Sequence, residues 1–125
     1  MISFNEAVLV HSILIDKFGG ATGLRDEKSL VSALLRPYQT FENKDLYAQP
    51  SEKAAALIES ILINHPFIDG NKRIGYVLMR LVLKEFSFDI EASQDEKYVF
   101  VINIAEGKSK FDDIVKWFDA HLVKQ

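Results

Sequence analysis

The chain contains no cysteine, which excludes disulfides and thiolate metal sites and fits a reducing cytoplasm as the place of work. It has no apolar run of transmembrane length and no signal-peptide pattern at Met1-Ile2-Ser3-Phe4, so neither a membrane nor a secretory route is expected. There is no linker, low-complexity tract or internal repeat. There is no excess of positive charge either: a net charge of −3 argues against a general nucleic-acid binder. No nucleophile elbow, Walker A loop or dinucleotide fingerprint is present. No stretch alternates convincingly as a strand. What remains is one expected domain over residues 1–125, all-α, with about six helices and enough chain to bury a core.

The helices announce themselves by caps and periodicity. Ser3-Phe4-Asn5-Glu6 is a capping box opening a largely apolar helix that Gly19-Gly20 ends after Phe18. His11 lies inside it and reads as a hydrogen-bonded core histidine rather than a catalytic one. Asp26 caps a short helix with Leu30, Val31, Leu34 and Leu35, stopped by Pro37. Just before it, Arg25 can reach a phosphate or a partner, but pairing with a nearby carboxylate is the expectation. Tyr38 to Pro50 lacks clear periodicity. It can be a flap that docks a peptide by strand addition, or a surface loop whose aromatics pack back onto the core, and the second reading is preferred.

Ser51 is expected to cap the next helix, which runs to about Asn64. A helix from Lys72 to Phe86 follows, with Ile74, Val77, Leu78, Leu81 and Val82 on one face. Arg73, Arg80 and Lys84 share the other face; Arg80 either extends an anion site or belongs to a solvated charged surface, the plainer reading. After a short connection, Ser87 to Ala92, a second capping box at Ser93-Gln94-Asp95-Glu96 opens a helix carrying Tyr98, Val101, Ile102 and Ala105, closed by Gly107. The last helix has Phe111, Ile114, Val115, Phe118 and Leu122 on one stripe, with Trp117 and His121 serving packing and the helix C-terminus.

Between the two central helices lies His65-Pro66-Phe67-Ile68-Asp69-Gly70-Asn71-Lys72-Arg73. The first N–H groups of a helix lack internal partners and carry partial positive charge. Two cations at such an end oppose the dipole, so an anion is the natural occupant, phosphate above all. Gly70 allows close approach, and Asn71 can cap or donate. An exposed imidazole at neutral pH is mostly uncharged, so His65 can take the proton of an incoming hydroxyl. Asp69 can hold Mg²⁺ through a hard oxygen, while Gly70, Asn71, Lys72 and Arg73 hold a triphosphate. Zinc would need more ligands than His65 and Asp69, and only His11 and His121 remain as histidines. As a purely structural unit the cluster would be a capped helix start with surface charges; the full set within nine residues argues for a site.

These residues resemble the Fic motif, HPFx(D/E)GN(G/K)R, in the form with lysine at the eighth position that is similar to the Doc (death-on-curing) branch. Phe18-Gly19-Gly20, Gly23-Leu24-Arg25-Asp26 and Ala33-Leu34-Leu35-Arg36-Pro37 also look like that branch. The resemblance implies a helical Fic fold with the motif between two central helices. It implies His65 as general base, Asp69 as the Mg²⁺ ligand, and Gly70, Asn71, Lys72 and Arg73 around the phosphates of ATP. Most Fic relatives transfer AMP to a Ser, Thr or Tyr hydroxyl. Doc-type relatives transfer the γ-phosphate of ATP instead, with translation elongation factor Tu as the known kind of target, and a Phd-type antitoxin holds them inactive.

The resemblance therefore implies a toxin acting as a protein Ser/Thr kinase. An AMP transferase and a catalytically silent binding module are the alternatives. Where AMP-transferring members have glycine this chain has Lys72, which would crowd the α-phosphate and favour a reversed nucleotide. Their second arginine, three residues after the first, is Tyr76 here. An in-chain inhibitory helix, (S/T)xxxE(G/N), is matched only by Ser87-Phe88-Asp89-Ile90-Glu91-Ala92, which ends in alanine. Control by a separate antitoxin is the expectation.

Overall fold

Helix α3, Pro50–Asn64, is the axis of the fold. It is apolar on most sides, and ten of its fifteen residues are buried, so it sits inside rather than on the surface. In the computed structural model, which describes residues 1–125, α2 (Glu27–Leu35), α4 (Asn71–Glu85), α5 (Gln94–Ala105) and α6 (Phe111–His121) pack around it. Helix α1 (Phe4–Phe18) lies against α4 and α2. The six expected helices are there, and the architecture is all-α. No helix is long and apolar enough to cross a membrane.

The pair α3–α4 is the tightest. Gly75 permits it: a Cβ at that position would lie 3.2 Å from Ile61 Cγ2 and 3.3 Å from a Leu62 methyl. Ile61, Leu62, Ile74, Leu78 and Met79 fill the seam and are fully buried. Both central helices are thereby held at fixed distance where one ends and the other begins.

Four short strands depart from the expectation of none. β1 (Thr40–Phe41) pairs antiparallel with β2 (Lys44–Asp45), and β3 (Phe88–Ile90) with β4 (Leu122–Lys124). Elements of two and three residues are too brief to show alternation in sequence. Leu122 thus belongs to a strand rather than to the α6 stripe, and Ser87 to Ala92 is more than a connection. The turn between β1 and β2 has positive φ at Glu42 and Asn43, 51° and 65°, the mirror-image turn that matches strand twist.

The segment from Tyr38 to Pro50 is therefore a small hairpin strapped down at its base. Buried Lys53 donates to the carbonyls of Pro37 (3.3 Å) and Tyr47 (2.6 Å) and pairs with Asp45 at 3.2 Å. Arg36 donates to the Tyr47 hydroxyl (3.0 Å), and Tyr38 donates to Glu85 (2.7 Å). Tyr38 and Tyr47 do turn back onto the helices; Phe41 does not and is 69 % exposed.

The cap of α3 also differs from expectation. Gln49 is the N-cap, Pro50 occupies the first helical position, and Ser51 is buried within the first turn. Proline's fixed φ suits that first position, which moves the start two residues earlier than a cap at Ser51 would. Glu52 closes the turn by accepting from the Gln49 N–H at 3.0 Å. The boxes at Ser3–Glu6 and Ser93–Glu96 form as expected.

Candidate active site

The last residue before the loop, His65, caps α3 in the left-handed conformation, φ 49° and ψ 63°. A non-glycine residue there costs roughly 1–2 kcal/mol, and it must be held. Arg25 holds it: Nε donates to the His65 carbonyl at 2.6 Å and Nη2 to the Asn64 carbonyl. The expected carboxylate partner of Arg25 is thus replaced by the two carbonyls that the end of α3 leaves without intrahelical donors. The backbone around Arg25 adds to the clamp. Arg25 and Asp26 N–H both donate to the Pro66 carbonyl (2.8 and 3.0 Å), and Ile68 N–H donates to the Gly23 carbonyl (3.0 Å).

Inside the loop, Phe67 is 1 % exposed and stacks on His11 with ring centroids 3.8 Å apart. His11 is the buried, hydrogen-bonded histidine expected of it. Its Nε2 lies 2.8 Å from the Asp69 carbonyl, and a carbonyl only accepts, so Nε2 carries the proton. Asn71 closes the loop on itself: Oδ1 accepts from Phe67 N–H (3.0 Å) and Nδ2 donates to Phe67 O (2.9 Å). Its side chain therefore holds the shape of the loop. Gly70 takes φ 74°, and a Cβ there would press on Ile15 at 3.2 Å.

Asp69 points outward. Oδ1 accepts from Gly70 N–H at 2.8 Å and Oδ2 from Ala21 N–H at 3.1 Å. These two donors, with smaller help from Arg73 and His11, hold its carboxyl below the ordinary range, so it is an anion at neutral pH. Gly20 makes room: a Cβ on it would lie 2.7 Å from Asp69 Oδ2, at a φ of 118°.

All six sequence candidates, His65, Asp69, Gly70, Asn71, Lys72 and Arg73, line one cleft of about 800 Å³. Lys72 is exposed. Arg73 donates to the Gly19 carbonyl at 3.3 Å and lies over the Phe18 ring at 5.0 Å. Neither cation pairs with a carboxylate. Helix α4 has no acidic residue in its first turn, whereas Glu6, Glu27, Glu52, Asp95 and Asp112 stand in the first turns of the other five helices. The positive end of α4 is left open to an anion.

Comparison with known proteins agrees with this geometry. The family model described as Fic/DOC family matches residues 2–83. The chain belongs to the Fic/DOC family. Toxin Doc of Mycolicibacterium smegmatis is 34 % identical over 84 residues, 62 % of this chain and 65 % of that protein. A Fido domain-containing protein of Dictyostelium discoideum is 38 % identical over 63 residues, 47 % of this chain and 43 % of that protein. Each match covers less than two thirds of the relative's length. The helical fold with the Fic motif between α3 and α4 is consistent with this membership.

Within this Fic/DOC chain, two sequence candidates change character. Asn71 holds the loop's shape from within the cleft, and Arg80 is withdrawn from it: Nε and Nη2 grip the two oxygens of buried Asp89 at 2.9 and 2.5 Å, tying α4 to β3. The turn after α4 brings Asp89 back beside it, which helix periodicity alone does not reveal. The far wall of the cleft, Gln94, Lys97, Tyr98 and Ile102 of α5, is not foreseen as part of the site, while Tyr76, noted where a second arginine would stand, lines the cleft from α4. In sequence Tyr98 and Ile102 look like one more core stripe. As for a metal, no group of three or more His, Cys, Asp or Glu side chains converges anywhere. A lone ionised carboxylate suits Mg²⁺, which is commonly held by one or two carboxylates together with substrate phosphates.

Proposed function

We propose that the protein is a Doc-type toxin. In this reading it is a protein kinase that moves the γ-phosphate of ATP onto a Ser or Thr hydroxyl of a target protein in the cytoplasm. Translation elongation factor Tu is the expected target, and a Phd-type antitoxin silences the activity. The observation that carries the reading is the placement of His65. Its exposed side chain opens into the same cleft as Asp69 and the cation-lined start of α4. The similarity to Toxin Doc supports the same branch.

The chemistry asked of these residues is modest. His65 takes the proton of the target hydroxyl as its oxygen bonds to the γ-phosphorus. The bond from that phosphorus to the bridging oxygen breaks, and ADP leaves with the electron pair. The N–H groups at the start of α4 from Asn71 onward, with the Lys72 and Arg73 side chains, face the charge that develops on the phosphoryl oxygens, and Gly70, whose own N–H is given to Asp69, leaves room for their approach. Mg²⁺, when bound at Asp69 and the nucleotide's phosphates, would supply further neutralisation of that charge. Arg25 reaches no reacting atom and fixes the backbone from which His65 acts.

Two expected results follow from these roles. With a candidate target and ATP labelled at α or γ, only the γ label should reach the target; transfer of the α label alone would mean AMP transfer and would overturn the kinase reading. Lys72→Gly should move labelling from γ toward α, because it reopens the space at the α-phosphate. An unchanged γ:α ratio counts against the role given to Lys72. Separately, Arg25→Ala should lower kcat by up to about 10²-fold through misplacement of His65, leaving KM for ATP nearly constant. Its stability cost should stay near 1 kcal/mol because the freed carbonyls lie near solvent. Lysine, lacking the two-pronged fork, should not rescue kcat; a kcat equal to wild type in Arg25→Ala would remove Arg25 from the site.

A further inference from the structure

Asp69 and Arg73 carry opposite charges and flank the start of α4, four residues apart, so the plainest arrangement would pair them. They are near enough for Arg73 to help hold the Asp69 carboxyl below its ordinary range. Yet no ion pair forms between them. The end of α1 intervenes. Arg73 Nη1 donates to the Gly19 carbonyl at 3.3 Å, and its guanidinium carbon lies 5.0 Å from the centre of the Phe18 ring. Two residues further on, Ala21 N–H donates to Asp69 Oδ2 at 3.1 Å. The turn from Gly19 to Ala21 thus offers its acceptor to the cation and its donor to the anion. Phe18 is 57 % exposed and stands outside the apolar core, so burial does not account for a phenylalanine there. Its ring does face cations: besides Arg73, Lys17 Nζ lies over it at 5.3 Å.

We propose that Phe18 is a positioning residue of the nucleotide site: with the Gly19 carbonyl it holds the Arg73 guanidinium away from the Asp69 carboxylate, so that both charges stay available to a ligand. The inference rests on the nucleotide reading given above and adds how such a site avoids neutralising itself. A carboxylate partner would fix Arg73 equally well, but it would cancel the charge that a phosphate meets. A carbonyl and a ring face are neutral; they orient the guanidinium and leave its charge whole. The direction of α1 helps. A cation disfavoured by the positive start of α4 is favoured by the carbonyl end of α1. The competing pair is weak, because exposed charges at this spacing gain little from each other in water. One ring and one carbonyl are therefore enough to win Arg73.

Calorimetric titration of the full chain with ATP and with adenosine, both without Mg²⁺, tests this as a double-mutant cycle. Phe18→Leu keeps an apolar side chain and removes the ring face; the position is exposed at a helix end, so the variants should fold. Phe18→Leu should weaken ATP by about two- to fivefold, the worth of an exposed cation–π contact. Adenosine, which has no phosphate, should bind unchanged, and Phe18→Tyr should bind ATP as the wild type does. In an Asp69→Asn chain no carboxylate is left to capture Arg73, so adding Phe18→Leu there should leave ATP affinity where Asp69→Asn alone sets it. An equal loss in both backgrounds would mean that Phe18 separates no charges; the proposal then fails while the nucleotide reading stands. No loss in either background, or a loss for adenosine as large as for ATP, overturns it likewise. If the wild-type chain binds neither ligand, the nucleotide reading itself falls, and the proposal with it.

Discussion

Replacing His65 with alanine should reduce phosphoryl transfer by about 10²–10⁴-fold, the usual worth of a positioned general base. The imidazole is exposed at the cleft and is engaged in no hydrogen bond within the chain, so its removal leaves no buried group unsatisfied. The residue's conformation complicates the choice of variant. Position 65 has a positive φ, 49°, where alanine is less comfortable than histidine. His65→Asn is the cleaner companion, since asparagine tolerates that region and cannot serve as the base. Both variants should melt close to wild type and both should lose transfer and growth arrest together. Equal toxicity of wild type and either variant would favour a binding module over an enzyme.

The second large effect is on stability. Phe67→Ala should cost about 3–5 kcal/mol, the range for emptying a buried phenylalanine site. The ring is 1 % exposed, stacks on His11, and belongs to the principal apolar cluster. Collapse around the void is restricted because the Phe67 backbone is fixed twice by Asn71 and bridged to Leu24. His11 would also lose its stacking partner while still bonded to the Asp69 carbonyl, so the loop should loosen before the helices do. Denaturant titration measures the first effect, and amide exchange at Ile68 to Gly70 the second. A loss below about 1 kcal/mol would show that the loop is not anchored through this ring.

Much of this protein can be read without coordinates because the informative features are local. Capping boxes need only four residues in a row, and Ser3–Glu6 and Ser93–Glu96 form as spelled. The buried axis is visible in the run from Ala54 to Leu62, and the cleft residues of the motif all fall within nine positions. What could not be read is what distance in sequence conceals. Arg25 finds carbonyls at Asn64 and His65, some forty positions away, and Arg80 finds Asp89 only because the chain doubles back after α4. Lys97 and Tyr98 face the motif through packing of α5 that no periodicity encodes, since either face of that helix could be the inner one. The strands failed for brevity, and the α3 cap moved by two residues because proline outranks serine as a starter.

The clamp between the α1–α2 connection and the motif loop carries a lesson for engineering. Residues 65–73 look portable, a short cassette ready to be spliced onto any helical hairpin. Yet the cassette's geometry is set by outside donors and acceptors: Ala21 on the Asp69 carboxylate, Gly23 on Ile68, the Arg25 guanidinium and amide on His65 and Pro66, and the His11 ring beneath. The smallest transplantable unit is therefore discontinuous, pairing 11–26 with 64–73, and a graft lacking the first half would keep the spelling and lose the shape.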